Sequence, residues 1–373
     1  MDEKTRSPLG LTSRRKALGV MGTAVAAAGV AGVALDAPAQ TPAPGATTLL
    51  REPARPPALA PRGDLVNVLE YETQARLVVG AARLAPVAGS DRTITDRITL
   101  RPRWNIPTRD LDLTATLFGD AHFTPIIVGP MADQRRFHAD GELATARGAS
   151  AAKAAMVISS DSSVPLATIA QAVTTPLYVQ VYAGSPKVKD VLAQASAAKA
   201  RAVFVTVGTA SANGPATPID WAGVEAVVKA TSLPVVVKGI TTPAEAREAV
   251  KRGAKGVVVS NYRGGNAASL RGTLLLVAPV VQAVGAQVPV LVDGSFRRGT
   301  DIVKAFGLGA KGVLIGRPVM WGLAAYGAEG VQGVVEMLQT ETARYMCMCG
   351  RPSLASVDSS LVRVHGLLPP ART

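Results

Sequence analysis

The chain has 373 residues and a formal net charge of +13, from 40 basic and 27 acidic residues scattered along the sequence. No RNA-recognition, zinc-finger or basic-helix pattern accompanies this excess, so nucleic-acid binding is disfavoured, and anionic small ligands explain part of the charge. Aromatic residues make up only 4%, whereas Ala, Val and Gly abound, which suits helices packed closely on a sheet better than an aromatic-rich β-sandwich.

Residues 1–39 have the pattern of an export signal. Arg14 and Arg15 stand directly before an Ala- and Gly-rich, moderately apolar run from Ala17 to Leu35, and Ala37-Pro38-Ala39 follows as a small-x-small cleavage pattern. A paired arginine in this setting resembles a twin-arginine signal, which exports folded proteins and therefore predicts a periplasmic or secreted protein. The alternative is an N-terminal membrane anchor, but the run is short of a comfortable span of about 20 residues.

Residues 40–62 are rich in Pro, Ala and Thr and predict a flexible tether. The folded domain is therefore expected over residues 63–373. A stretch of helical spacing, LVNVLEYETQARLVVGAARLA, predicts a short N-terminal helical extension at the barrel floor or mouth. GVVEMLQTETARYMCMCG predicts a C-terminal helix on the outside, and its Cys347 and Cys349 point apart on that helix and are expected to be packing residues.

Eight short apolar runs of strand length alternate with segments of helical spacing in the centre of the chain. Such alternation implies parallel pairing, and eight units imply a closed (β/α)₈ barrel of the TIM type. An open doubly wound sheet is the main alternative, but this fold is expected to have a glycine-rich dinucleotide-binding motif after an early strand, and the sequence lacks one. The runs are PIIVG (125–129), AMVIS (155–159), LYVQV (177–181), AVFVTV (202–207), PVVVK (234–238), KGVVVS (255–260), VPVLVD (288–293) and KGVLIG (311–316).

Chemistry in this architecture is placed at the carboxyl ends of the strands. Two charged residues directly follow apolar runs: Lys238 comes after Val-Val-Val and Asp293 after Val-Leu-Val. Burying such a charge without a partner is costly, so both are candidate functional groups. The loops after strands 7 and 8 hold Arg297 and Gly316-Arg317, and arginines with glycine backbone N–H groups predict a phosphate-bearing ligand there.

Three longer motifs carry a family resemblance. VVVKGITTPAEAREAVKRGAKGVVVSN, VLVDGSFRRGTDIVKAFGLGAKGVLIGRP and FHADGELATARGA resemble the FMN-dependent α-hydroxy-acid oxidase and dehydrogenase family, and the similarity runs from about Asn67 to His365. The resemblance implies FMN as cofactor and a small-molecule substrate such as a carboxylate. It implies that the electron acceptor is oxygen, a quinone or a protein, and that the protein is a homotetramer.

The same resemblance assigns cofactor-binding residues. Lys238 would lie near flavin N1 and the C2 carbonyl, where a cation stabilises the anionic reduced flavin. The remaining assignments are Pro130, Met131 and Ala132 lining the flavin; Ser159, Gln180 and Thr206 on the isoalloxazine edge; Ser260 at the ribityl chain; and Asp293, Gly294, Ser295, Phe296, Arg297, Gly316 and Arg317 around the phosphate.

The substrate side departs from the family. Relatives read Ser-Asn-His-Gly-Gly-Arg after strand 6, where the histidine removes a proton from the substrate, whereas this chain reads Ser260-Asn261-Tyr262-Arg263-Gly264-Gly265-Asn266. The family's two substrate arginines and its N-terminal substrate tyrosine have no counterpart in register, and the fourth loop is short. Tyr182, the substrate tyrosine after strand 3, is kept, and Asp293, which orients the histidine in relatives, is expected to face the phenol of Tyr262. His122, His138 and His365 are placed at the floor, in the first loop and in the tail, away from catalysis.

A phenol is a poor general base, because its pKa is about 10 and a neighbouring carboxylate raises it further. The catalytic set implied is Tyr262, Asp293, Tyr182 and Lys238, in an exported FMN-dependent oxidoreductase of the hydroxy-acid type with an altered substrate or reaction. A second hypothesis is an FMN-binding protein without hydroxy-acid turnover that serves electron transfer or sensing. A third, a flavin-independent binder of a phosphate ligand, is disfavoured by Lys238 and Gln180.

Overall fold

Eight parallel strands close into a barrel in the computed structural model, which describes residues 58–89, 92–103, 110–208, 217–262 and 266–366, the side chains of 266–271 excepted. Each predicted run coincides with one strand, and two of these strands continue past their runs, to Tyr182 and Ile240, so the predicted (β/α)₈ fold is confirmed. The strands are β1 (Ile126–Val128), β2 (Ala155–Ser159), β3 (Leu177–Tyr182), β4 (Val203–Thr206), β5 (Val235–Ile240), β6 (Gly256–Val259), β7 (Val290–Asp293) and β8 (Gly312–Ile315).

Each strand pairs with its neighbours in chain order, and β8 returns to pair with β1 through Val313 opposite Ile126. The register places the predicted polar residues at one level of the barrel. Ser159 lies opposite Gln180, and Thr206 lies opposite both Tyr182 and Lys238. The strand ends therefore form one rim, as the sequence predicted.

The interior of the barrel is filled by apolar and aromatic side chains. Tyr178 and Phe204 pack at 5.5 Å between ring centroids, with Phe118 edge-on to both. Below them, a hairpin of Ala115–Leu117 and Asp120–His122 closes the floor, and the His122 Nε2 atom lies 2.9 Å from the Tyr178 hydroxyl. Burial lowers the pKa of His122, so this histidine is a packing residue at the floor, where the sequence placed it.

Helices follow the strands around the outside. They are α1 (Gly141–Ala151), α2 (Leu166–Ala172), α3 (Val188–Ala197), α4 (Trp221–Ala230), α5 (Pro243–Lys251), α6 (Asn266–Val284), α7 (Gly299–Gly307) and α8 (Arg317–Met348). The predicted C-terminal helix is the later part of α8, which is broken at Tyr326 and Gly327. No helix among the described residues is long and apolar enough to cross a membrane.

The N-terminal extension is a helix from Val68 to Val79 that packs on the side of α8, with Tyr71 edge-on to Tyr326 at 5.9 Å. The Tyr326 hydroxyl donates to the Ala60 carbonyl, and an Arg62 N–H group donates to the Glu329 carbonyl. The folded unit therefore includes residues that the sequence assigned to the tether. The predicted export signal and the tether up to residue 57 lie outside the described residues.

A second segment of the extension, Ala85–Val87, is a single 3₁₀ turn that reaches the barrel mouth. The indole Nε1 of Trp321, at the start of α8, donates to the Val87 carbonyl at 2.8 Å. Trp321 is fully buried, so this bond fixes the turn beside the ends of β7 and β8.

The contact between α1 and α8 leaves no room for a side chain at Gly148. A β-carbon there would meet the Ala328 carbonyl and would lie 2.7 Å from the Val331 β-carbon. We therefore expect Gly148→Ala to lower the free energy of unfolding by about 2 kcal/mol, although alanine favours helices over glycine. Urea unfolding measures the change. The control is Gly63→Ala, because no atom lies within 4 Å of a β-carbon at Gly63; equal effects of the two substitutions would contradict the packing argument.

Candidate active site

A cavity of about 370 Å³ lies at the carboxyl ends of the strands, within the size range of small-molecule sites. Twelve residues predicted from the sequence line it, from β1, β5, β6, β7, β8 and the loops that follow them. They are Pro130, Met131, Lys238, Ser260, Tyr262, Asp293, Gly294, Ser295, Phe296, Arg297, Gly316 and Arg317. These twelve predicted residues therefore share one cavity.

Lys238 lies at the centre of this site and is only 5% exposed. Its ammonium is 2.7 Å from the Asp293 Oδ2 atom and donates to the Ser260 hydroxyl at 3.1 Å, while that hydroxyl donates to Asp293 at 2.9 Å. β5, β6 and β7 each supply one of these residues as it ends. The buried cation is thus matched by a carboxylate, which meets the energetic requirement for burying either charge.

Tyr262 begins the loop after β6, and its hydroxyl lies 3.1 Å from the hydroxyl of Tyr182 at the end of β3. The sequence paired Asp293 with the phenol of Tyr262, and this pairing was wrong, because Asp293 bonds Lys238 and Ser260 instead. Burial, the hydrogen bond with Tyr262 and the charge of Asp161 raise the pKa of Tyr182. The Lys238 ammonium lies 5.1 Å from the centre of the Tyr262 ring, a cation–π geometry.

Ser159, Gln180 and Thr206 form a hydrogen-bonded row across the ends of β2, β3 and β4. The Ser159 hydroxyl donates to Gln180 Oε1 at 3.1 Å, and Gln180 Nε2 donates to the Thr206 hydroxyl at 3.0 Å. These three residues, with Tyr182, are not among those lining the cavity, and Ala132 is exposed in the loop after β1. The row is fully buried and gives the strand ends beside the cavity fixed side-chain orientations.

The loop after β7 turns sharply at Gly294 and Ser295, whose φ angles are +94° and +58°. Glycine suits position 294 because a β-carbon there would lie 3.0 Å from the Thr273 hydroxyl oxygen. Asp301 in α7 accepts hydrogen bonds from the backbone N–H groups of Arg297 and Arg298 at 2.9 and 3.0 Å. The turn and the carboxylate together fix where the Arg297 side chain begins.

Arg297 is 2% exposed, and its Nε atom has no hydrogen-bond partner. Its guanidinium lies 4.7 Å from the Trp321 ring centre and donates to the carbonyls of Phe296 and Gly89. Burial and the adjacent charge of Arg317 lower the pKa of Arg297. An anion here would favour the charged form of Arg297, so this end of the cavity is suited to a phosphate.

The N-terminal extension contributes residues that the sequence analysis missed. Pro86 lines the cavity, and the Gly89 carbonyl accepts hydrogen bonds from Arg297 at 3.0 Å and Arg317 at 3.3 Å. These residues lie about 200 positions before the loops they contact, and they carry no charge or motif. The Trp321 indole, which holds the segment in place, was equally hidden within an apolar run.

The histidines lie away from this cavity. His138 Nδ1 is 3.2 Å from the backbone N–H of Asp140, and His365 Nε2 is 2.8 Å from the Thr99 hydroxyl. Both contacts are structural, as expected. The described residues contain no cluster of His, Cys, Asp and Glu that could hold a metal ion.

Comparison with known proteins gives consistent matches. The family described as FMN-dependent dehydrogenase matches residues 77–215 and 211–364. A peroxisomal (S)-2-hydroxy-acid oxidase of Oryza sativa subsp. japonica is 31% identical over 81% of this chain and 96% of its own length. Human 2-hydroxyacid oxidase 1 is also 31% identical, over 81% of this chain and 98% of its own length. A crystal structure of mandelate oxidase with (S)-2-phenylpropionate superimposes with a TM-score of 0.74 and 33% identity, covering 81% of this chain and 100% of that one.

The Lys238–Asp293 pair is expected to show strong coupling in unfolding measurements. Lys238→Met leaves a carboxylate that is only 18% exposed without its cation, so we expect a loss of about 3 kcal/mol in the free energy of unfolding. The double variant Lys238→Met, Asp293→Asn should recover much of that loss, because no unmatched charge remains.

The matched control is the Lys187–Asp161 pair, which has the same 2.7 Å separation but side chains that are 58% and 42% exposed. Lys187→Met should cost less than about 1 kcal/mol. Additive effects at Lys238 and Asp293 would contradict a coupled buried pair.

Proposed function

Because this chain belongs to the family of FMN-dependent α-hydroxy-acid oxidases and dehydrogenases, we propose that it is an FMN-dependent oxidoreductase with an altered substrate or reaction. The cofactor of the family is FMN. The altered substrate or reaction is proposed because the Tyr262 hydroxyl lies 3.1 Å from the Tyr182 hydroxyl, and Tyr262 stands at the position where relatives keep a histidine base.

The residues of the cavity fit FMN. At one end, Arg297 has a buried Nε atom without a partner, beside Arg317 and the glycine turn after β7, and these groups would hold the phosphate. Ser260 would meet the ribityl chain, and Lys238 would face the ring system from within the barrel. When bound, FMN supplies a two-electron acceptor for the oxidation of a CH–OH group.

Among the residues that the structure describes, no group on the substrate side is suited to remove a proton. A phenol holds its proton at neutral pH, and the Tyr262 hydroxyl is bonded to a second phenol rather than to a carboxylate. Asp293, the carboxylate in the site, binds Lys238 and Ser260. A positioned base is worth about 10²–10⁴-fold in rate, which corresponds to about 3–5 kcal/mol of activation free energy. Oxidation of ordinary hydroxy acids should therefore be slow.

The test compares the FMN-loaded wild type with Tyr262→His under anaerobic conditions. Glycolate, lactate and mandelate are mixed with each protein, and the loss of flavin absorbance gives the reduction rate. We expect Tyr262→His to be at least about 100-fold faster with one of these acids. Tyr262→Phe is the control, because it removes the hydroxyl without adding a base, and it should be as slow as the wild type.

Rapid reduction of the wild type would show that Tyr262 is compatible with the ordinary reaction and would overturn the proposed change. A wild type that binds FMN but is reduced by none of these acids, with no gain in Tyr262→His, would favour an FMN-binding protein for electron transfer or sensing. A colourless protein that cannot be reconstituted with FMN would contradict both.

We also propose export by the twin-arginine route, supported by Arg14 and Arg15 before the Ala- and Gly-rich run. Replacing both arginines with lysine should abolish export in a bacterium that has this route. Immunoblotting of periplasmic and cytoplasmic fractions measures the outcome, with replacement of Arg6, which lies outside the pair, as control. Unchanged export of the double variant would contradict the proposal.

A further inference from the structure

We propose that the Tyr182–Tyr262 pair recognises an uncharged oxygen of the ligand, such as that of a ketone, aldehyde, alcohol or amide, and that this part of the site disfavours a carboxylate. The inference rests on the proposed function, since it names the substrate class of the same site. It follows from the hydrogen-bonding capacity of the two phenols and from the charges around them.

Two hydroxyl groups at 3.1 Å share one hydrogen bond. One O–H group is used between them, which leaves one O–H donor and the remaining oxygen lone pairs for a ligand. A carbonyl can accept from that donor, and an alcohol or amide can also donate to a phenol oxygen. The pair therefore satisfies a neutral oxygen group with no change of protonation.

The pair meets the cavity through Tyr262, which lines it and is 36% exposed. Tyr182 is half-buried, does not line the cavity and contacts Tyr262 through its hydroxyl. Because burial and the bond to Tyr262 raise the pKa of Tyr182, Tyr182 keeps its proton over the physiological range. A ligand that reaches Tyr262 therefore meets a hydroxyl that is hydrogen-bonded to a second, protonated phenol.

The cations that the structure describes near the pair are already matched by carboxylates. Lys238 bonds Asp293 at 2.7 Å, and Lys187 bonds Asp161 at 2.7 Å. The charge of Asp161 acts on Tyr182, so the field at the pair includes a negative contribution. Arg297 and Arg317 line the same cavity and donate to the Gly89 carbonyl, and they are the groups proposed to hold the phosphate.

A carboxylate at the tyrosine pair would therefore lose its hydration without gaining a cation among the described residues. Burial of an unmatched charge is unfavourable, whereas a neutral amide of the same shape loses little. Discrimination between an acid and its amide measures this difference directly, because the two differ in charge and hardly in volume.

The experiment uses the FMN-loaded full-length protein and two matched pairs of ligands, lactate with lactamide and mandelate with mandelamide. Isothermal titration calorimetry under anaerobic conditions gives the dissociation constants, with the perturbation of the flavin spectrum as a second measure of binding. We expect each amide to bind at least about tenfold more tightly than its acid. Tyr182→Phe and Tyr262→Phe should each weaken amide binding by about fivefold to tenfold, the value of one hydrogen bond.

Asp161→Asn tests the electrostatic part of the argument. It removes the negative charge that acts on Tyr182, frees Lys187 from its ion pair and leaves both phenols in place. Both electrostatic changes favour an anion, so the acids should bind more tightly while the amides should not change. Unchanged discrimination would contradict the electrostatic part of the proposal.

Acids that bind as tightly as the amides would overturn the proposal. Arg263→Ala distinguishes the cause, because Arg263 follows Tyr262 directly and its position lies outside the described residues. Loss of acid binding in that variant would identify Arg263 as a carboxylate clamp. Failure of all four ligands to bind would also overturn the proposal.

Failure of the proposed function gives a different result. The proposed function is contradicted if the protein takes up no FMN, or if the flavin of the Tyr262→His variant is reduced by hydroxy acids no faster than that of the wild type. The acid and amide titrations can still be made by calorimetry on the flavin-free protein, so the two failures are distinguishable.

Discussion

Pairing of β8 with β1 closes the barrel, and the position of the site depends on that closure. Val313 opposite Ile126 joins segments almost 190 residues apart in the sequence, and the join brings the loop after β8 beside the loop after β1. Met131 and Gly316 consequently line the same cavity as Lys238 and Asp293. In an open sheet with the same strand order, the first and last strands would lie at opposite edges, and no common cavity would form between their loops.

Charge burial is the second constraint on the site. The rim of a barrel with an apolar interior is a costly place for Lys238. Asp293 and Ser260 offset that cost, because they place a carboxylate and a hydroxyl 2.7 and 3.1 Å from the ammonium. The pairing commits Asp293 to the lysine and leaves Tyr262 to bond Tyr182. The carboxylate of Asp293 and the two phenols therefore belong to separate hydrogen-bonded groups.

The barrel and most of the rim could be predicted from sequence, because β-branched runs, helical spacing and polar strand ends are local signals. Lys238 and Asp293 stand out since charged residues rarely follow such runs directly. The contacts within the site could not be predicted. Whether Asp293 bonds Tyr262 or Lys238 depends on the orientations of side chains from β5, β6 and β7. The spacing of residues in the sequence does not determine these orientations. Pro86 and Gly89 belong to a segment whose Val87 carbonyl accepts a hydrogen bond from the Trp321 indole. This contact joins residues far apart in the sequence, so no local pattern predicts it.

The carbonyl of Gly89 between Arg297 and Arg317 has a consequence for the modularity of the fold. The eight βα units contain all eight barrel strands and close on themselves, yet they do not by themselves complete the wall around the two arginines. The smallest transplantable unit of this architecture is the barrel together with the segment from Ala85 to Gly89. A chimera that joined a foreign N-terminal extension to this barrel would inherit its strands intact and would have to supply its own acceptor for both guanidinium groups.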